Sequence, residues 1–327
     1  MNIKRKTAIV LLLLMMIAIM SGCNQKDIPK EDKFSVVCTI FPQYDWVRQI
    51  IGDNPADMEL TLLLNSRVDL HSYQPTVDNI AKISTCDLFI YIGGESDSWV
   101  DGVLRTANNI NMIVINLLDE LGEHAKEEEM LEGMQAEDID TADMDNDELE
   151  YDEHVWLSLK NARIFCGAIA EALTAIDADN AEEYQSNLEA YLTKLMELDK
   201  EYQSAVDGSP NKTLLFGDRF PFRYLTDDYG LTPYAAFPGC SAETEASFDT
   251  IVFLASKVDE LNLKNIIVTE SADRSIAKTI IDNTKDKNQQ IIELDAMQSV
   301  TTDDVRSGAT YLSIMENNLS LLKNALN

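Results

Sequence analysis

Three histidines occur in the 327 residues, so a site built on imidazoles can be assembled in few ways. His154 stands in Tyr151-Asp-Glu-His154-Val-Trp156-Leu-Ser-Leu-Lys160, directly after a long acidic run and before an amphipathic helical pattern, where an exposed metal ligand would sit. His71 lies in Asp69-Leu-His71-Ser-Tyr73-Gln-Pro75, and His124 opens the acidic run. Neutral imidazole is a common nitrogen ligand for divalent metals, so His71 and His154 are the first candidates for such a centre.

The elements that must position these residues read as alternating strands and helices. Strand patterns cover Phe34 to Ile40, Met58 to Leu64, Leu88 to Ile92 and Met112 to Leu117, with helical patterns at Tyr44 to Ile51, Val77 to Ser84, Ser98 to Thr106 and Asn161 to Ile176. From Asn180 to Val206, apolar residues recur at three- and four-residue steps (Tyr184, Leu188, Tyr191, Leu195, Leu198, Tyr202). They predict one helix of roughly 40 Å. The alternation then restarts, with strands at Thr213 to Phe216, Pro233 to Phe237, Asn265 to Thr269 and Gln290 to Leu294. Helices are predicted at Phe222 to Tyr229, Phe248 to Leu261, Ser275 to Thr284 and Val305 to Leu326. The fold class is therefore α/β: two lobes with mainly parallel sheets, residues 34–176 and 211–327, joined by a rigid helix within 177–210.

In open α/β sheets, ligands bind outside the carboxyl ends of the strands. His71 follows the second strand, His154 the fourth, Gly217-Asp218-Arg219 the fifth, and Glu270-Ser-Ala-Asp273-Arg274 the seventh. Two histidines from one lobe and two or three carboxylates from the other would converge across the cleft. Each has a plainer reading: Asp218 and Asp273 are good helix caps, Glu270 or Arg274 would simply form a salt bridge, and His71 is a loop histidine hydrogen-bonded to backbone.

The first 22 residues read as a targeting segment: basic Lys4-Arg5-Lys6, an apolar run from Thr7 to Met20 too short to span a bilayer, then Ser21-Gly22-Cys23. That ending is similar to a bacterial lipoprotein signal. Cys23 would be lipidated and residues 23–33 would be a tether to the extracytoplasmic face of the cell membrane. Net charge is −31, and Asp119 to Glu153 holds one lysine and no arginine. Such a surface excludes nucleic acid as a partner and attracts cations. The acidic loop 119–153 itself reads as solvated and disordered. Cys38, Cys86 and Cys166 read as buried thiols, whereas Cys240, beside Gly239 in a loop, is a candidate soft ligand.

The first histidine motif resembles the Asp-Pro-His-Ser-Tyr-Glu-Pro signature of the receptor lipoproteins of bacterial zinc and manganese ABC importers, which include streptococcal adhesin lipoproteins. Asp152-Glu-His154-Val-Trp156-Leu resembles their Asp-Pro-His-Val-Trp-Leu. Phe41-Pro42, Asp87-Leu-Phe89 with Gly93-Gly94, Phe222-Arg-Tyr224 with Tyr229-Gly230-Leu231, and Asp273-Arg274 extend the likeness over the mature chain. The resemblance implies two lobes joined by one long helix, with His71, His154 and Asp273 as ligands. At the family's third ligand position stands Arg219, which has no lone pair to offer. Either Asp218 takes over or that ligand is missing.

The function implied is capture without catalysis. A lipid-anchored, monomeric receptor would bind zinc or manganese through His71, His154, Asp218 and Asp273 and deliver it to an ABC importer permease. Affinity would fall on acidification near the ordinary imidazole pKa of about 6.5. The rival classes are a secreted metallohydrolase, for which there is no His-Glu-x-x-His pattern, and a surface adhesin without a transport role.

Overall fold

A computed structural model describes residues 33–52, 58–65, 70–135, 150–241 and 245–327. The signal segment, Cys23, most of the tether, Asp69 of the first histidine motif and residues 136–149 of the acidic run lie outside the described residues. Among the described residues no helix is long and apolar enough to cross a membrane.

In chain order the first half runs β1 (Phe34–Cys38), α1 (Phe41–Ile51), β2 (Met58–Leu62), α2 (Val77–Thr85), β3 (Leu88–Tyr91), α3 (Val100–Leu104), β4 (Ile113–Asn116) and α4 (Leu117–Leu121). Helices α5 (Leu159–Ile176) and α6 (Ala181–Gly208) follow. The second half runs β5 (Thr213–Phe220), α7 (Arg223–Tyr229), β6 (Thr232–Pro238), α8 (Phe248–Leu261), β7 (Asn265–Thr269), α9 (Ser275–Asn283), β8 (Gln290–Leu294), α10 (Thr302–Arg306) and α11 (Tyr311–Ala325).

The strands form two four-stranded sheets, β2-β1-β3-β4 and β6-β5-β7-β8, with parallel pairing throughout. Continuous apolar runs explain this: Val36, Val37 and Cys38 in β1 and Leu88, Phe89 and Ile90 in β3 are all buried, as strands covered by helices on both faces require. In each sheet the first strand is central and the chain winds to one side and then the other. Crevices therefore open at the carboxyl ends beside β1 and β5.

The expected long helix is α6, with 28 residues and Tyr184, Leu188, Tyr191, Leu195, Leu198, Tyr202 and Val206 buried. At 1.5 Å per residue it is about 42 Å long. It is bonded to both halves: Asn187 Nδ2 donates to Ile50 O at 3.0 Å, and Tyr202 Oη to Met315 O at 2.6 Å. One hydrophobic core runs from β1 and β3 through α5 and α6 to Phe216, Tyr224 and Leu319, and Phe34–Asn327 forms a single compact unit.

Three expectations need correction. The predicted helix from Val305 to Leu326 is two helices, broken where Gly308 adopts φ +101 and Thr310 caps α11 by accepting from Ser313 N. Strand β5 continues past Phe216 to Phe220 through an irregularity in its pairing with β6. The acidic run is not solvated throughout. Its two ends pair with each other, Glu128 N donating to Glu150 O and Asp152 N to Lys126 O, both at 2.8 Å. It is also pinned to the second half by Lys126 on Asp227 at 2.7 Å, Glu129 on Arg223 at 3.0 Å and Gln135 N on Ala236 O at 2.9 Å. These partners lie about a hundred residues downstream, where charge patterning gives no sign of them.

Candidate metal centre

His71 sits on a single 3-10 turn, Leu70–Ser72, after β2. Its Nδ1 lies 2.8 Å from Ser96 Oγ and 3.6 Å from Glu153 Oε2. Glu153 is buried and is itself held by Ser96 N, which donates to Oε1 at 2.9 Å. Gly94, at φ +78, makes that placement possible, because a β-carbon there would run into the Glu153 carboxylate. The Gly-Gly pair after β3 thus has a physical reason: backbone must pass where a side chain is already packed.

His154 opens a second 3-10 turn, Val155–Leu157, leading into α5. The sequence suggested an exposed ligand, but His154 is fully buried, because Trp156 packs beside its ring at 5.3 Å and the second half covers it. Asp152 Oδ1 accepts from His154 N at 2.9 Å and lies 3.1 Å from its Nδ1. The segment is bolted across the molecule. Tyr224 Oη donates to Asp152 O at 3.1 Å, Trp156 Nε1 to Ala296 O at 2.8 Å, and Tyr311 Oη to Trp156 O at 2.7 Å.

The two rings approach to 5.4 Å between centroids. A carboxylate facing Nδ1 favours the tautomer with hydrogen there, leaving the lone pair on Nε2. His154 Nε2 is buried and has no hydrogen-bond partner among the described residues. Cys240 completes the group, in the turn directly after β6: its sulfur and a ring nitrogen of each histidine lie within 4.8 Å of one another. Its backbone N–H donates to Glu128 Oε1 at 3.2 Å.

The surroundings are acidic. Burial raises the carboxyl groups of Glu128 and Glu153, and burial with the nearby Glu153 charge pushes Asp97 up to about 7 although Ile92 N and Gly93 N donate to it. Burial, then Glu128, Glu153 and Asp152, push the Cys240 thiol upward. These acidic groups surround two imidazoles and a thiol, and a bound cation would favour their charged forms.

The expected carboxylates lie close by but outside that group. Asp218 and Asp273 line a cavity of about 380 Å³ together with His71, Arg219 and Thr269. Asp218 Oδ2 accepts from Thr269 N at 3.0 Å, tying β5 to β7. Asp273 is exposed, and its Oδ1 accepts from Ser275 N at 2.7 Å at the start of α9. Those Ser275 bonds hold its carboxyl below the usual range. Glu270 is turned away from the histidines, accepting from Ala296 N at 2.8 Å and Gln298 N at 3.0 Å. Glu153 stands where the resembled motif has proline, and its contact with the other histidine, His71, had no signal in the spacing.

A family profile described as "ZnuA: Zinc-uptake complex component A periplasmic" matches residues 36–325. The chain belongs to this family. The resemblance carried by the two histidine motifs is thereby borne out. The zinc-binding lipoprotein AdcA of Streptococcus pneumoniae is 29% identical over 323 residues, covering 98% of this chain and 60% of that protein's length. The chain thus spans about three fifths of this relative. The high-affinity zinc uptake system protein ZnuA of Bacillus subtilis is 29% identical over 298 residues, 91% of this chain and 89% of that one.

Among solved structures, the metal-dependent lipoprotein YcdH of Bacillus subtilis superposes with a TM-score of 0.71 at 26% identity, covering 90% of this chain and 99% of that one. The Zn(II)-bound ZnuA-like domain of Streptococcus pneumoniae AdcA gives 0.68 at 27% identity, with the same coverages. The α/β fold with two parallel sheets and a long helix between them is that of these ZnuA-like structures.

Proposed function

We propose that this ZnuA-family chain is an extracytoplasmic receptor that captures zinc and hands it to the permease of an ABC importer, with Cys23 as its lipid anchor. The observation that carries the reading is the approach of His71 and His154 to 5.4 Å between ring centroids, with Asp152 Oδ1 3.1 Å from Nδ1 of His154 and Ser96 Oγ and Glu153 Oε2 at 2.8 and 3.6 Å from Nδ1 of His71, an arrangement that would leave Nε2 of each ring for the metal. Relatives named as zinc-binding and zinc-uptake proteins support zinc over manganese.

Capture proceeds without catalysis in this reading. The imidazoles of His71 and His154 take the ion, and Asp218 and Asp273 on the cavity wall are the oxygen donors available to it. Both carboxylates have present partners, so either would exchange a backbone hydrogen bond for the metal. The lobes 34–176 and 211–327 share one core along α6, which favours small adjustments on release over wide hinge opening. The receptor works as a monomer, and the cavity serves as the route of the ion.

Calorimetric titration of zinc into metal-stripped protein tests this. About one equivalent should bind. His71→Ala and His154→Ala should each abolish tight binding, and undiminished binding in either removes that histidine from the site.

A further inference from the structure

The geometry points to Cys240 Sγ as the third ligand of the captured ion, giving an N2S donor set in place of the imidazole or carboxylate that the family resemblance implies at Arg219; this rests on the zinc-capture reading above. The three donor atoms already lie within 4.8 Å of one another. Around a tetrahedral zinc, nitrogen and sulfur ligands sit about 3.5 Å apart, given bonds of ~2.0–2.1 Å and ~2.3 Å. Closing the difference asks about an ångström of side-chain movement. A second observation is independent of the thiol: His154 is wholly buried, and its Nε2 has no hydrogen bond among the described residues. A buried polar nitrogen left in that state is costly, and a ligand of the group would satisfy it.

The competing third ligands are worse placed. Arg219 has no lone pair, and Asp218 is committed to Thr269 across the β5–β7 seam. Cys240 comes from the second half at the end of β6, so the ion would bridge the two halves. Coordination forms one zinc–sulfur bond, breaks the S–H bond and releases that proton to solvent. A thiolate is a soft donor, so the N2S set favours zinc over manganese more strongly than nitrogen and oxygen ligands would.

The full chain loaded with cobalt(II) tests the assignment. A thiolate ligand produces a sulfur-to-cobalt charge-transfer band in the near ultraviolet, which should be present in the wild type and in Cys86→Ser and absent in Cys240→Ser. Zinc affinity should fall at least about 100-fold in Cys240→Ser, the upper end of what loss of an outer-shell partner costs, while manganese affinity changes less than about tenfold. Cobalt bound without the band in the wild type overturns the assignment whatever the variants do, as does wild-type zinc affinity in Cys240→Ser. If wild-type protein takes up neither zinc nor cobalt, the capture reading fails and the assignment with it.

Discussion

Gly239 lies flat against the ring of His154: a β-carbon built on it would come within 2.9 Å of His154 Cε1 and 3.0 Å of its Nδ1. Phe220 O stands at 2.9 Å on another side. Gly239→Ala must therefore displace either the ring or the β6 turn. The expected result is zinc affinity lowered about 10- to 100-fold, as for other losses of ligand orientation, with about 1–3 kcal/mol of stability lost to overpacking. Calorimetry and urea unfolding measure the two separately; unchanged zinc affinity would show that the turn yields without moving the ring.

Asp152 holds His154 by two bonds through one oxygen. Asp152→Ala removes both and should weaken zinc binding about 10- to 100-fold. Asp152→Asn keeps an acceptor but loses the charge opposite Nδ1, so its loss should be smaller. Zinc titration of the two variants checks the order, and an equal loss would mean that charge, not orientation, is what Asp152 supplies.

Tyr311, fully buried, donates to Trp156 O at 2.7 Å, so removing its hydroxyl takes this bond from the Trp156 carbonyl. Tyr311→Phe should cost about 1–3 kcal/mol in denaturant unfolding, the usual penalty for a buried carbonyl left unsatisfied. A cost below about 0.5 kcal/mol would mean that water takes the place of the hydroxyl.

Asp97 gives the chain a pH dependence of determinable sign. Burial, with the nearby Glu153 charge, raises its carboxyl from the ordinary 3.8 to about 7. Between those values the folded state holds a proton that the unfolded chain has released, so this group's contribution to stability falls as pH rises from about 4 to about 7. Asp97→Asn keeps a single oxygen for Ile92 N and Gly93 N, as Oδ2 serves both now. Thermal or denaturant unfolding at pH 5 and pH 8 should show the wild type losing more stability over that interval than the variant, by more than about 1 kcal/mol. Parallel losses in the two proteins would remove Asp97 as the source.

Much of the architecture was legible because it is written in local periodicity. β7, β8 and α8 have the predicted ends, and the buried stripe of α6 is the one read from three- and four-residue steps. Two of the departures have a local cause: Gly308, at positive φ, split α10 from α11, and the irregular pairing after Phe216 prolonged β5.

The pairing of His71 with His154 was open to sequence reasoning because both follow strands whose carboxyl ends share an edge, and histidines are few. The rest of the centre was not, because it depends on which distant side chains fill the space between the halves. Cys240 reads in the sequence only as a thiol beside a glycine, and Glu153 only as the residue standing where the resembled motif has proline, yet the Cys240 sulfur lies within 4.8 Å of a ring nitrogen of each histidine and Glu153 Oε2 lies 3.6 Å from His71 Nδ1. Asp218 and Asp273 looked equally suitable by position, but hydrogen bonds from Thr269 and Ser275 already occupy them. Strand and helix order follow from periods of two and 3.6, which the chain carries residue by residue. The Asp273–Ser275 bond is local, but the contacts that set Asp218 against Thr269 and Cys240 against His71 join residues 51 and 169 positions apart, and only the packed molecule makes them.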